Sequence, residues 1–149
     1  MGDAAMESRT MGRVLAEATI ANLEDLWAAR QNRLPPEGVR CIVVKDALVD
    51  TGARMLALPS RLIRELGLNR VDTRRVTTSA GERQAAVYEV VRLTIQGRSC
   101  VMDVMEVPDD VPVLIGQIPL ERLDFVVDPG SCSLVGNPAH GGEYVIEAY

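Results

Sequence analysis

The run Ala47-Leu48-Val49-Asp50-Thr51-Gly52-Ala53 sets a carboxylate at the end of an apolar stretch, where a merely solvated acid does not belong. Burial disfavours a charge unless something specific supports it. Thr51 offers a hydroxyl beside it, and Gly52 lets the backbone come close to a neighbouring group. Asp, Thr and Gly are also common in turns, so a strand-terminating turn is the plainer account of the tripeptide. At ordinary composition the three fall together by chance in roughly one chain in thirty of this size. A carboxylate so placed can give or take a proton in catalysis, but a single one cannot do both at once.

Other chemistries find less support. His140 is the sole histidine and lies in the turn-rich run Asn137-Pro138-Ala139-His140-Gly141-Gly142, a poor setting for a His-assisted nucleophile. A zinc site would need more nitrogen or sulfur ligands, and no metal or other cofactor is expected. Cys41, Cys100 and Cys132 are odd in number and far apart, so they imply reduced thiols and no disulfide framework. Asp109-Asp110 beside Pro108 reads as a solvated turn, Glu24-Asp25 near Trp27 as a helix start, and Gly141-Gly142 lacks the lysine of a phosphate loop.

The elements that must position Asp50 come from a chain of 149 residues, 47% apolar and 25% charged, enough for one domain with a real core. One Trp, one Phe and three Tyr leave that core to Val, Leu, Ile, Ala and Met. A formal charge of -5 argues against a nucleic-acid or anionic-membrane surface; Arg70, Arg74 and Arg75 cluster, but Asp72 sits among them, as on a solvated face. No stretch approaches a membrane span and no apolar run follows basic residues at the start, so the default expectation is a cytoplasmic protein.

Residues 1–10 lack any period and are expected to fray, leaving 11–149 as the domain. Between Arg13 and Leu23 the pattern suits either strand or helix; the alternation of Val14, Ala16, Ala18 and Ile20 favours a strand to about Ala21. Pro35-Pro36-Glu37-Gly38 breaks the chain, and Val39 to Val49 reads as a strand pair or one long bent strand. Ser60 to Leu66 is a short helix stopped by Gly67. Hairpins follow, one turning at Ser79-Ala80-Gly81-Glu82 and one at Gln96-Gly97-Arg98, the latter leading into Cys100 to Val107. Val111 to Ile115 is an apolar run closing on Gly116, with a helical turn at Leu120 to Leu123 and a strand at Phe125 to Val127. The sum is mainly β with one or two short helices.

In this setting Leu48-Val49-Asp50-Thr51-Gly52-Ala53 resembles the active-site loop of the retropepsins, the retroviral-type aspartic proteases. Their second signature, apolar residues followed by Gly, is matched by Val113-Leu114-Ile115-Gly116, and their substrate-covering flap by the hairpin Thr77 to Gln84. Leu58-Pro59-Ser60 resembles the segment after the loop in bacterial and archaeal relatives, and the likeness runs from Asp46 to about His140. It implies a closed β-barrel of the acid-protease type, active as a homodimer on polypeptide substrate, since the chemistry takes two carboxylates and each chain has one such loop. By the same resemblance Asp50 is the acid/base, Thr51 hydrogen-bonds across the dimer axis, and Gly52 lies against the dyad and the substrate backbone. Ala53, Arg54, Ser79, Ala80, Gly81 and Ile115 fall at substrate-binding positions. The competing reading is a binding or assembly module that keeps the fold without turnover.

The departures carry their own expectations. Arg54 and Gln117 stand where retroviral enzymes form an Asp–Arg ion pair, so that pair cannot exist here. The flap lacks an aromatic near its tip. The alternating tail Glu143 to Tyr149 suits either a strand interleaved at a dimer interface or a frayed end. Ala53 stands where pepsins carry Ser, so no hydroxyl is available there to bond the catalytic oxygen. Activity is therefore expected toward weaker acid, and a peptide-cleavage profile with its optimum well below about pH 4 would contradict this reading.

Overall fold

The computed structural model describes residues 13–148, so the expectation for residues 1–10 lies outside the described part. The chain is mainly β, with nine strands and three α-helices among the described residues.

Strand β1 (Val14–Asn22) is the alternating segment: Val14, Ala16, Ala18 and Ile20 are buried, Leu15 and Glu17 exposed. Its last residue starts helix α1 (Leu23–Arg30), as the Asn22 side chain accepts the Asp25 amide at 3.1 Å and donates to the Leu66 carbonyl at 2.8 Å. The helix start read at Glu24-Asp25 is borne out, although Trp27 on this helix is exposed. Asp25 is also more than a helix-start acid. It takes the Arg40 Nε at 2.8 Å, the Arg40 Nη2 at 3.0 Å and the Arg40 amide at 3.0 Å, and the Arg40 side chain holds its carboxyl below the usual range against the effect of burial.

Strand β2 (Cys41–Val49) is one continuous strand, antiparallel to β1 with a bulge between Ala16 and Ala18. The wholly buried β3 (Leu56–Pro59) leads into α2 (Ser60–Leu66), which ends at Gly67 as expected. That glycine has φ +64°, and a Cβ there would run into the Arg40 guanidinium. Strands β4 (Asn69–Thr78) and β5 (Gly81–Ile95) make the first hairpin; β5 and β6 (Arg98–Val107) make the second around Gln96-Gly97. The two-residue β7 (Leu114–Ile115) precedes α3 (Gln117–Leu123), longer than the helical turn read from sequence. Strands β8 (Phe125–Asp128) and β9 (Ser133–Gly136) form a separate ribbon. The segment 143–148 is neither helix nor strand, so its alternating pattern does not become a strand within the chain.

The main sheet runs β1-β2-β7-β3-β6-β5-β4, and an added β1–β5 pairing brings six of these strands into a ring of neighbours. Strand β5 serves two partners on one side: residues 81–89 pair with β4, and Val91 to Thr94 pair with β1. Inside lies the aliphatic core, with Ile20, Leu56, Leu58, Leu66, Leu93, Ile95, Ile115, Leu120 and Leu123 fully buried. Among the described residues no helix is long and apolar enough to cross a membrane. Truncating Leu58, which is wholly inaccessible, should cost about 2–5 kcal/mol of unfolding free energy in urea titration, as for other aliphatic core deletions.

Candidate active site

Asp50 sits one residue beyond β2, at the mouth of a loop whose geometry is set from behind. Strand β7 lies between the two arms of that loop: it runs parallel to β2 (Leu48 beside Leu114, Val49 beside Ile115) and antiparallel to β3 (Leu56 beside Ile115, Ala57 beside Leu114). The Leu48 amide donates to the Val113 carbonyl at 2.8 Å, and the Asp50 amide donates to the Ile115 carbonyl at 3.0 Å. On the far arm the Gly116 amide donates to Met55 O (3.1 Å), the Gln117 amide to Ala53 O (2.9 Å) and the Ile118 amide to Arg54 O (3.0 Å).

These bonds fix the backbone on both sides of Asp50. The loop itself closes through the Ala53 amide to Asp50 O at 3.1 Å, and the Gly52 amide donates to Asp50 Oδ1 at 3.0 Å. That bond fixes the orientation of the carboxylate. The second oxygen, Oδ2, accepts no hydrogen bond from the described residues. Asp50 is half-buried, while Thr51 and Gly52 stand exposed at the tip.

The other residues singled out in the sequence fall in three places. Ala53 is half-buried and Arg54 exposed, both on the arm tied to α3; Arg54 makes no ion pair among the described residues, and Gln117 bonds Glu121 instead at 3.1 Å. Ser79, Ala80 and Gly81 form the exposed tip of the β4–β5 hairpin, where Thr78 Oγ1 takes the Ala80 amide at 3.2 Å and donates to Gly81 O at 2.9 Å. Strand β4 has no buried residue, so the outer hairpin is held mainly by its own pairing. Ile115 is fully buried in the aliphatic core, and its tie to Asp50 is through the main-chain carbonyl, not the side chain.

What the sequence did not disclose is the main-chain lacing of residues 53–55 onto 116–118, since backbone bonds leave no residue-type signal. Gly116 was its one visible trace. A Cβ at that position would lie 2.5 Å from Met55 O and 2.8 Å from Ala53 O, so the crossing admits only glycine without movement.

A protein-family model described as aspartyl protease matches residues 42–118. The chain belongs to this retropepsin-like aspartyl protease family. The matched span begins in β2 and ends at the start of α3, so it takes in the Asp50 loop, both hairpins and the Gly116 crossing. A comparison with curated proteins finds no match.

Two surface clefts, of about 530 Å³ beside β1 and β9 and about 400 Å³ beside Ser99 and Tyr144, are both lined by residues other than Asp50. Among the described residues no group of three or more His, Cys, Asp or Glu side chains is placed to hold a metal ion.

Gly116→Ala should lower stability by about 1–3 kcal/mol, because the new methyl meets backbone carbonyls and not a flexible side chain. Chemical denaturation against wild type measures it, and an unchanged midpoint would show that the crossing has slack.

Proposed function

We propose that the protein is an aspartic endopeptidase in which two copies of the chain each contribute Asp50 to one catalytic pair. The observation that carries this reading is the Asp50 carboxylate itself: fixed by Gly52 on one oxygen, open on the other, and braced from behind by Ile115. Membership of the family supports peptide hydrolysis, and a polypeptide substrate with it.

The chemistry needs one ionised carboxylate to draw a proton from water and one protonated carboxyl to hydrogen-bond the peptide carbonyl. Two acids sharing one proton meet that need, because like charges so close do not both ionise. The described chain places one such loop, and its tip is exposed. Ile118, whose amide anchors Arg54 on the far arm of the loop, keeps 41% of its surface accessible, an exposed apolar side chain that a second copy would cover. The outer part of the β4–β5 hairpin, with no buried residue between positions 69 and 84, is the element suited to fold over an extended substrate, with Ser79, Ala80 and Gly81 at its end. The site of this reaction is cytoplasmic in our reading.

Digestion of casein or a peptide library by wild type and Asp50→Asn, from mildly acidic to neutral pH, tests the assignment. The variant should lose on the order of 10²–10⁴-fold in rate while keeping its fold. Equal rates would remove Asp50 from catalysis, and inactivity of both proteins would favour a binding module. Sedimentation at the working concentration should show a dimer; a strict monomer that cleaves would refute the two-copy scheme.

A further inference from the structure

The segment 141–148 has no regular structure, yet it is fastened to the body at several points. Arg98, at the start of β6, donates to Leu123 O (3.0 Å), Asp124 O (2.8 Å) and Gly142 O (2.7 Å). Its guanidinium carbon lies 4.6 Å from the Phe125 ring centre and 5.1 Å from that of Tyr144. Tyr144 donates its hydroxyl to Arg122 O at 2.9 Å, and the Val145 amide reaches Asp124 Oδ2 at 3.1 Å.

The outermost fastening is His140. Its Nδ1 is 2.7 Å from Asp124 Oδ2 and its Nε2 is 3.0 Å from Glu147 Oε1. Asp124, in the left-handed conformation that ends α3, is buried; the imidazole is nearly so, and Glu147 is exposed. A doubly protonated ring donates to both carboxylates at once. A neutral ring has one N–H, so one carboxylate then faces a lone pair. Each state of His140 therefore holds a different number of anchors.

We infer that His140, bridging Asp124 and Glu147, is a proton-operated clasp on the segment 141–148, closed when the ring carries both protons and released at the Glu147 end when it carries one. The segment is a wall as well as a strap. Tyr144 and Ile146 line the 400 Å³ cleft together with Ser99, Cys100, Glu121 and Arg122, so the segment forms one side of that cleft.

The charged groups facing the imidazole are Asp124 from the end of α3 and Glu147 on the segment, while the Arg98 guanidinium from β6 meets Asp124 only at its main-chain carbonyl. The two carboxylates in contact prevail. The bond to Glu147, then that to Asp124, raises His140 above the ordinary imidazole value. Burial pushes Asp124 up, but bonds from His140, Val145 and Asn137 hold it below the usual carboxylate range. The histidine's contribution is thus complete below the ordinary imidazole pKa and lost as pH rises through the raised value. The aspartate's contribution is present above the ordinary carboxylate range and lost as pH falls through its lowered value. The clasp is shut in the window between. It stands apart from Asp50 and does not depend on the protease reading.

The full-length protein in solution gives the test, because its single histidine makes the ring titration unambiguous by NMR. Amide-exchange protection at Val145, corrected for intrinsic rate, should fall by about tenfold or more along the same midpoint as the ring. His140→Gln should show the low protection at every pH, and Glu147→Gln should lower the ring's midpoint while leaving the fold intact. Protection that stays constant through the titration, or a His140→Gln protein as protected as wild type, would overturn the clasp and leave Arg98 and Tyr144 as the sufficient anchors.

Discussion

No side chain fits between residue 116 and the carbonyls of Ala53 and Met55, and the geometry of the Asp50 loop follows from that closeness. Because the backbone at Gly116 can press against the far arm of the loop, its amide and the next two bond Met55, Ala53 and Arg54 directly. Because β7 then fills the space between β2 and β3, Ile115 can offer its carbonyl to Asp50 and its side chain to the core. A carboxylate at a strand end would ordinarily sample several orientations. Here both flanks of its loop are hydrogen-bonded to one short strand, so the carboxylate is pre-oriented at little further entropic cost.

The sequence was legible where side-chain chemistry dictates structure. Alternation placed β1, Gly67 ended α2, and Gln96-Gly97 turned the second hairpin, each for a local reason. It was mute where a tertiary partner decides. Helix α1 shows its exposed Trp27 and hides its reason for ending β1, which is a buried asparagine bonded to α2. Strand β9 follows the turn-rich residues 128–132 and has only β8 as partner in its ribbon. At the site, Asp50, Thr51 and Gly52 could be named from residue types alone, whereas the standing of Ile115 could not: its apolar side chain is core, and only its main chain meets the loop. The triad of His140 with Asp124 and Glu147 has no spacing signature, since it joins a helix end, a 3₁₀ turn and an irregular segment.

Two kinds of stability coexist in the molecule. The ring of strands is held by wholly inaccessible aliphatic side chains, whereas the outer hairpin relies on ladder bonds and exposed pairs such as Arg75 with Glu82 at 3.0 Å. Pairs of that sort are worth little in water, so the hairpin belongs to the part of the chain that opens most readily. Strand β5 joins the regimes, since one end pairs with the exposed β4 and the other with the buried β1. The exposed tip is thereby tied to a buried base.

The brace behind Asp50 also has a consequence for the order in which the molecule becomes competent. The loop lies early in the sequence, and the segment that rigidifies it, Val113 to Ile118, comes after both hairpins. A chain emerging from the ribosome exposes the acid first and its support much later. Such non-local closure is slow to form. Until it does, the Asp50 loop is without its brace, whose last bond, from the Ile118 amide to Arg54 O, needs a residue made long after the acid itself.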